Sequence, residues 1–354
     1  MFKVEIEPSW VLRHADGLST SLPVLLALLA AVRQLGSISK AAADCGMSYR
    51  HAWGLLREFN SQFGAELVHK VRGQGTVLSP LAEKLIWADK RISARLSPLL
   101  DSLASELQQE LASVMPDRPQ ALRLTASHGF AVAALIAQLE AHGSVVDLKY
   151  RGSTEAVAAL ARGECDLAGF HLPVGAFERA AAAKYLPWFN PKQHALIHLA
   201  YRMQGIFVAK GNPMGITGLA DLARADLRFV NRQLGSGTRV LLELLLADQG
   251  VAPASIAGYD SAEFTHAAVA AYVASGMADA SFGVETAARR FDLDFVPIAR
   301  EQYFLACEHK VLAGPLLAAT LGVMRSDTFK ATLSALPGYD GTLCGAEIDP
   351  GSFF

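Results

Sequence analysis

The stretch Gly36-Ser-Ile-Ser-Lys-Ala-Ala-Ala-Asp-Cys-Gly-Met-Ser-Tyr-Arg-His-Ala-Trp53 decides the fold of the N-terminal region. Ser39 and Ser48 stand at positions typical of helix N-caps, and an Ala-rich segment closed by Gly46 lies between them. Two capped helices joined by a tight glycine-containing turn predict a helix-turn-helix. The apolar segment 22–34 predicts one further helix before it.

A wing and a long helix follow the helix-turn-helix. Residues 67–78 alternate around Gly73-Gln74-Gly75 and predict a β-hairpin. Ser79-Pro80 opens a helix whose apolar residues recur at spacings of three and four from Leu81 to Leu111. This is the pattern of a helix that pairs with a partner, although such a stripe could also pack on its own domain. Because proline is tolerated best in a first turn, Ser97-Pro98 predicts a break into two consecutive helices.

Composition limits the classes of protein that fit this chain. It has 354 residues, 51% of them apolar and 19% charged, with a mean hydropathy of +0.25, which suits two or three folded domains. The net charge of −2 excludes a strongly basic surface over the whole protein, so any nucleic-acid interface must be a local patch. The four cysteines lie far apart, which argues against a disulfide scaffold and against a metal site.

The N-terminus and the apolar segments indicate where the protein resides. Residues 3–6 alternate like a short strand, and the first residues have no apolar segment of signal-peptide length. Leu22–Val32 is too short to span a bilayer. We therefore expect a cytoplasmic protein without a membrane partner.

Beyond a linker at 115–120, strands alternate with helices, which predicts parallel sheets covered by helices. The alternation of strands and helices starts again near residue 205. The expected fold is therefore a two-lobed α/β domain at 120–354 with its second lobe at about 205–298. Strands near 199–209 and 303–309 are expected to cross between the lobes. The fold class is thus multidomain, with a winged helix-turn-helix at 1–80 and a dimerisation helix at 81–113.

Basic side chains concentrate around the predicted helix-turn-helix. Residues 33–80 contain six Lys or Arg and three Asp or Glu, a local charge of +3 that suits a DNA duplex. Arg50 lies in the first turn of the second helix, where it could bond a guanine edge; taken alone, it could equally be a solvated helix charge. The DNA-binding candidates are Ser39, Lys40, Ser48, Tyr49, Arg50, His51, Arg57, Lys70 and Arg72.

Four strand-to-helix turns in the C-terminal half carry small hydrogen-bond donors. In 229–239 a strand runs through Gly235-Ser-Gly-Thr-Arg239 into an apolar helix, and a helix N-terminus of this kind attracts anions. Each such turn could also be only a helix cap. Because ligands of α/β sheets lie at the carboxyl ends of strands, two turns from each lobe could close on one ion. The ligand-binding candidates are Ser127, His128, Ser153, Thr154, Asn231, Arg232, Ser236, Gly237, Thr238, Arg239, Thr265 and His266.

The donor chemistry narrows the ligand. The tips of the four turns contain no carboxylate, which favours an oxyanion that carries no proton, such as molybdate or tungstate, over hydrogen phosphate. An organic carboxylate fits the same donors. The sequence contains no phosphate-binding loop, zinc-protease or nucleophile-elbow motif, so we expect no enzyme, no catalytic residue and no cofactor.

Two family resemblances follow from these segments. The stretches 37–42, 47–53 and 76–86 resemble the DNA-binding domain of the ModE family of molybdate-responsive regulators, a winged helix broadly similar to that of LysR-type regulators. The resemblance implies a homodimer built on the long helix and a palindromic operator, with pairing into a tetramer left open. The wing is short here, and the small oxyanion-binding domain usual in that family is missing.

The C-terminal half resembles the type 2 periplasmic-binding-protein fold, in the branch of molybdate-binding-like domains fused to DNA-binding domains. The resemblance rests on 125–128, 150–153, 163–171, 231–239, 264–270 and 279–285. It implies a one-component transcriptional regulator that senses a small oxyanion. Two other interpretations remain: a LysR-like regulator of an organic anion, and an oxyanion carrier or storage protein that binds no specific DNA.

Overall fold

The computed structural model describes residues 3–13, 19–115 and 120–354. The chain divides into two compact units: Glu7–Leu96, and Ser97–Phe354 together with the residues up to Ile6. The predicted linker at 115–120 lies mostly outside the described residues. The predicted domain boundaries at 80, 113 and 120 stay predictions.

The described residues of the N-terminal unit form three helices, two pairs of antiparallel strands and the start of a long helix. Strand β1 pairs antiparallel with β2, and β3 with β4. The elements are β1 (Val11–Arg13), β2 (Ser19–Ser21), α1 (Pro23–Leu35), α2 (Ile38–Asp44), α3 (Tyr49–Phe63), β3 (Val68–Val71), β4 (Gly75–Leu78) and α4 (Pro80–Ser113).

The predicted helix-turn-helix is present, with one correction at its first cap. The hydroxyl of Ser37, not that of Ser39, accepts the amide of Lys40 and caps α2, so Ser39 lies inside the helix. Two serines two residues apart offer the same local signal, and the chain uses the earlier one. Ser48 caps α3 as predicted by accepting the amide of His51 at 3.1 Å.

The predicted strand at 3–6 is wrong, because these residues belong to no regular element. They make side-chain contacts instead: the Lys3 ammonium donates to Glu140 at 2.9 Å, and the Val4 amide donates to the Gln108 side chain at 3.0 Å. Alternation over four residues does not distinguish such a segment from a strand.

The predicted break at Ser97-Pro98 is also wrong, because α4 is one helix with Pro98 inside it. Beyond Pro98 the helix is attached to the α/β unit: the hydroxyls of Ser102 and Ser105 accept the backbone amides of Tyr150 and Leu148 at 3.1 and 2.8 Å. These bonds stabilise the helical turns after the proline and offset its missing amide hydrogen.

The C-terminal unit is an α/β structure with one long mixed sheet. Its first half contains β5 (Ala121–Ala126), α5 (Phe130–Ala141), β6 (Val145–Tyr150), α6 (Ser153–Ala161), β7 (Leu167–Pro173), α7 (Glu178–Ala182) and β8 (His194–Val208). Its second half contains β9 (Phe229–Arg232), α8 (Gly237–Asp248), β10 (Ala262–Glu263), α9 (His266–Ala274), β11 (Ala280–Val284), α10 (Glu285–Arg290), β12 (Asp294–Glu308), α11 (Pro315–Arg325), α12 (Asp327–Ser334), β13 (Tyr339–Asp340) and β14 (Glu347–Ile348).

Two fifteen-residue strands join the lobes of this unit. β8 and β12 pair antiparallel along their length, with register shifts between Pro297 and Ala299 and between Tyr303 and Phe304. On one side of the Pro297–Ala299 shift they continue into β7, β5 and β6, and on the other into β11, β9 and β10. The predicted two-lobed fold and its crossing strands are confirmed. Of the helices described, not one combines the length and apolarity that a bilayer crossing demands.

Candidate functional site

The nine DNA-binding candidates form an exposed set on the N-terminal unit. All of them are exposed to solvent, and they lie on α2, on α3 with its cap Ser48, and on β3 with the turn that follows it. The opposite face of α3 is core, since Ala52, Leu56 and Phe59 are buried. An exposed basic helix above a packed core is the arrangement that an element needs to enter a major groove.

The wing is held against the helix-turn-helix by a backbone contact. The Thr76 amide donates to the Gly36 carbonyl at 2.8 Å. Gly75 has φ of +82°, and a Cβ on it would lie 2.4 Å from the same Gly36 oxygen. Glycine is therefore required at this position both by conformation and by space. The contact positions Lys70 and Arg72 relative to α2.

In the C-terminal unit, the helix N-termini predicted as anion sites come from both lobes. α5 and α6 begin after strands of the first lobe, and α8 and α9 after strands of the second. The lobes touch here: a Cβ on Gly152, which precedes α6, would lie 3.5 Å from the Gly235 carbonyl oxygen, and one on Gly237 would lie 3.0 Å from Nδ1 of His171. The positive ends of these helices favour a bound anion.

A buried ion pair lies where the strands cross. Arg202 on β8 donates from Nε and Nη2 to Oε2 of Glu301 on β12, at 2.9 and 2.7 Å, and both side chains are 1% exposed. The side-chain amide of Gln204 donates to the same carboxylate oxygen and to the Thr238 hydroxyl. Thr238 of the second lobe is thereby linked to the crossing strands.

Arg232 adds a second buried guanidinium at the end of β9. Its Nη2 donates to the Phe264 carbonyl at 2.7 Å. Burial and the nearby Arg202 charge lower the pKa of Arg232 to about 9, so it keeps its positive charge at neutral pH. Two buried positive charges close together destabilise the folded protein unless a negative charge lies beside them.

Three histidines surround these arginines. Burial lowers the pKa of His171 and His266 well below the ordinary value, and the charges of Arg202 and Arg232 add to the effect. Burial, followed by the Arg232 charge, lowers the pKa of His128 to about 4. All three are therefore neutral at neutral pH and act as hydrogen-bonding groups.

Several buried polar atoms of this cluster have no hydrogen-bond partner among the residues described. Such atoms are rare in native proteins and generally meet a ligand or ordered water. They belong to both lobes and to the crossing strand: His128 Nδ1, His171 Nε2, Arg202 Nη1, Gln204 Oε1, and Nε and Nη1 of Arg232. A small cavity beside His171 is lined by Thr154, Lys184, Gly235, Gly237, Glu301 and apolar side chains of α7 and α8.

The structure brings most of the predicted ligand residues to this cluster. The Ser153 and Ser127 hydroxyls lie 3.0 and 3.4 Å from His171 Nδ1. His128, Arg232 and His266 are buried in it.

Other predicted ligand residues have structural partners. Ser236 and Thr265 cap α8 and α9 by accepting the amides of Arg239 and Ala268. The Asn231 side chain binds the Tyr259 carbonyl and the Arg232 amide.

The Arg239 guanidinium is occupied by protein groups, and its role as a ligand residue stays a prediction. It donates to Glu243 at 2.9 Å and to the carbonyls of Tyr259 and Arg232 at 3.1 and 3.4 Å, and it stacks over the Tyr259 ring at 4.0 Å. Arg239 is the third residue of α8, and from there its side chain reaches Glu243, which lies four residues further along the same helix face.

Sequence reasoning missed five members of the cluster: His171, Arg202, Gln204, Glu301 and Tyr303. A signal for Arg202 was available, because it is the single Lys, Arg, Asp or Glu in a mostly apolar fifteen-residue strand. Glu301 is 99 residues away from Arg202, and no local pattern connects them. Within the described ranges, no group of three or more His, Cys, Asp or Glu side chains could hold a metal ion.

Comparison with known proteins agrees with this architecture. The sequence model of the PBP superfamily domain matches residues 136–325, and that of the bacterial regulatory helix-turn-helix protein, lysR family, matches residues 24–83. The chain thus has the domain organisation of a DNA-binding transcriptional regulator with a ligand-binding domain. It belongs to the PBP superfamily and bears a LysR-type helix-turn-helix.

Curated relatives match parts of the chain. Uncharacterized protein YvgK of Bacillus subtilis (strain 168) is 38% identical over 203 residues, which are 56% of this chain and 64% of that protein. Molybdenum-pterin-binding protein MopB of Rhodobacter capsulatus is 38% identical over 30% of this chain and 40% of its own length. Molybdenum transport protein ModE of Herbaspirillum seropedicae is 32% identical over the same shares. The chain therefore spans less than two thirds of each of these relatives.

Proposed function

We propose that this protein is a one-component transcriptional regulator that binds a palindromic DNA site as a homodimer and senses a small oxyanion, with molybdate or tungstate as the first ligands to test. The ligand proposal rests on the buried polar atoms of Arg202, Arg232, His128 and His171 that have no hydrogen-bond partner among the described residues. The names of the relatives MopB and ModE support molybdate as the first probe.

The proposed response is a shift in the population of the closed cleft. His128 and His171 are on the first lobe, whereas Arg232 and His266 are on the second. A ligand that bonds to both sets does so only when the lobes are closed, and it stabilises that state by its differential affinity. Closure would then change the geometry of the dimer and its fit to the half-sites of the operator. Identical scattering profiles with and without bound molybdate would contradict this mechanism.

The proposed dimer forms through α4. Leu99, Leu103, Leu107 and Leu111 are exposed by between 39% and 57% at spacings of four. Leu81 and Leu85, by contrast, pack on the core of their own unit. A stripe of exposed leucines along one helix face is the pattern of a helix-pairing seam. Charged substitution of Leu99 and Leu103 should give a monomer by light scattering.

The cavity beside His171 supports a second candidate, an organic anion. Beside its polar residues, the cavity is lined by the apolar side chains of Pro173, Ala181, Val240, Leu241 and Leu244. The cavity is small, with a volume of about 20 Å³, so the proposed organic anion would place its carboxylate at the arginines and only a short hydrocarbon group in the cavity.

Calorimetry of the full chain with molybdate, tungstate, sulfate, phosphate and formate tests the ligand proposal. A saturable isotherm for molybdate or tungstate that is lost in Arg232→Gln supports it. Absence of binding by all five anions would remove the inorganic oxyanion and leave the organic anion to be sought. A gel shift with the promoter of the protein's own gene separates a regulator from a carrier or storage protein, because the carrier would retard specific and random DNA equally.

A further inference from the structure

The charges of the buried cluster do not balance a doubly charged ligand. With neutral histidines, Arg202 and Arg232 supply two positive charges and Glu301 one negative charge, all nine-tenths or more buried. A monoanion would neutralise this set, whereas a dianion would leave one uncompensated negative charge. An unpaired buried charge is strongly unfavourable, and a titratable neighbour usually changes its protonation instead.

His171 is the side chain placed to make that change. It lies on β7 with its Nδ1 3.0 Å from the Ser153 hydroxyl, and its buried Nε2 has no partner in the described part of the chain. The Tyr303 ring meets the imidazole edge-on at 4.5 Å, and α8 of the other lobe approaches it at Gly237. A ligand held between the lobes near Arg202 and Arg232 is thus next to this ring.

The surroundings keep His171 neutral while no anion is bound. The charged groups around it are Arg202, Arg232 and Glu301, with Lys184 on the wall of the same cavity. The titratable neutral groups are His128, His266, Tyr303 and Tyr185, whose hydroxyl donates to the His171 carbonyl. Burial and the two arginine charges lower the pKa of His171, and a bound dianion would reverse that effect.

We propose that the site binds a doubly charged oxyanion together with one proton, which His171 takes up from solvent, so that His171 determines the charge of the ligand. This proposal rests on the proposed function of the cleft as an anion site. Protonated imidazole donates from both nitrogens: Nε2 to the ligand and Nδ1 to the Ser153 or Ser127 hydroxyl. A hydroxyl can accept as readily as it donates, so the extra proton requires no movement of heavy atoms.

The other two histidines suit this role less well. His266 Nδ1 accepts the Val284 backbone amide at 3.4 Å, and an amide N–H cannot accept a proton in return. His128 lies edge-on to Tyr150 at 4.9 Å, and its Nδ1 has no partner within the described ranges that could accept a new hydrogen bond. Of these three histidines, and among the described contacts, His171 alone has hydroxyls in place to accept a hydrogen bond from its second N–H.

Calorimetry of the full chain with molybdate in two buffers of different ionisation enthalpy tests the proposal. At neutral pH the observed enthalpy should differ between buffers by the amount expected for uptake of about one proton per molybdate. The affinity should fall as pH rises above the pKa of His171 in the free protein, by up to roughly tenfold per pH unit, because the bound state holds more protons than the free state. Formate, a monoanion, should show neither effect.

Two variants assign the proton. His171→Gln keeps an amide donor near the position of Nε2 but cannot titrate, so its molybdate affinity should become independent of pH and buffer. His198→Gln is the matched control: His198 is equally buried but lies between the rings of Tyr201 and Phe304, and this variant should retain the proton uptake.

The outcomes separate the two proposals. Molybdate binding without buffer dependence in the unchanged protein overturns the proton proposal and leaves the anion site standing. Uptake that persists in His171→Gln overturns the assignment to His171. Absence of binding by every anion overturns both the site and the proton proposal.

Discussion

Arg202 directs two N–H groups at a single oxygen of Glu301, and the two residues are 1% exposed. A buried ion pair contributes little net stability, but removal of one charge leaves the other without compensation. Glu301 therefore holds Arg202 in place, and its carboxylate is in turn neutralised by Arg202 and hydrogen-bonded by Gln204.

Glu301→Gln should lower the free energy of unfolding by about 3 kcal/mol, because the Arg202 charge loses its buried partner. The same variant should gain more stability than the unchanged protein on addition of molybdate, since the ligand then supplies the missing negative charge. Denaturant unfolding with and without molybdate measures both quantities. Equal ligand stabilisation in the two proteins would place the anion away from Arg202.

Arg232→Gln should weaken molybdate binding by roughly 100-fold or more, because it removes a charged donor that has two unpartnered N–H positions within the described structure. Arg239→Ala is its control on the same glycine-rich turn. That variant loses the Tyr259 stack and the Glu243 pair, so it should cost about 1–3 kcal/mol of stability with little change in affinity. A larger loss of molybdate affinity in Arg239→Ala than in Arg232→Gln would mean that Arg239, and not Arg232, binds the anion.

Gly75→Ala should destabilise the wing by about 2–3 kcal/mol, because the added carbon would meet the Gly36 carbonyl oxygen at 2.4 Å. Gly73→Ala has the same φ of +82° but nothing within 4 Å, so it should cost only about 1 kcal/mol. Thermal unfolding and gel shifts of both variants measure the difference. If Gly75→Ala and Gly73→Ala lowered the stability equally, the loss would come from the positive φ alone and not from contact with the Gly36 oxygen.

Arg50→Ala should cost about 1–3 kcal/mol of binding to the specific site at one base position and relax the preference there. Lys70→Ala, on the wing strand, should weaken binding to all sequences similarly and reduce its salt dependence. Binding titrations with single-base operator variants distinguish the two. Equal loss by Arg50→Ala on random DNA would mean that Arg50 contacts only phosphate.

The buried neutral histidines should make the ligand-free protein less stable in mild acid. Burial lowers the pKa of His128 and His198 to about 4, whereas the unfolded chain titrates near 6.5. Between these values the unfolded state binds more protons, so stability should fall with falling pH, by up to about 1.4 kcal/mol per pH unit for each histidine. His198→Gln should reduce the slope of unfolding free energy against pH; an unchanged slope would mean that His198 is protonated when folded.

Local signals predicted the elements well, because caps and periodicity are properties of neighbouring residues. The β-hairpin predicted at 67–78 is present as β3 and β4, and Ser48 caps α3 as its position indicates. Errors arose where a long-range contact decided the outcome: hydroxyls of Ser102 and Ser105 hold α4 together past Pro98, and Lys3 pairs with Glu140 instead of joining a sheet.

The candidate site was only half predictable for the same reason. Residues in the strand-to-helix turns can be recognised from their composition, so His128, Ser153 and Arg232 were among the predicted ligand residues. Arg202 and Glu301 meet only because two strands pair across the crossing, and the sequence does not give that register. Composition does not reveal the direction of a side chain on its helix, so the sequence could not predict that Arg239 would pair with Glu243 and Tyr259.

The serine bonds of α4 also have a mechanical consequence. Ser102 and Ser105 attach this helix to β6, the outermost strand of the first lobe, whereas the second lobe is connected to the first through the crossing strands β8 and β12. In the proposed closure of the cleft, the first lobe is therefore the anchored part, because it is bonded to the helix of the proposed dimer, and the second lobe is the part that moves.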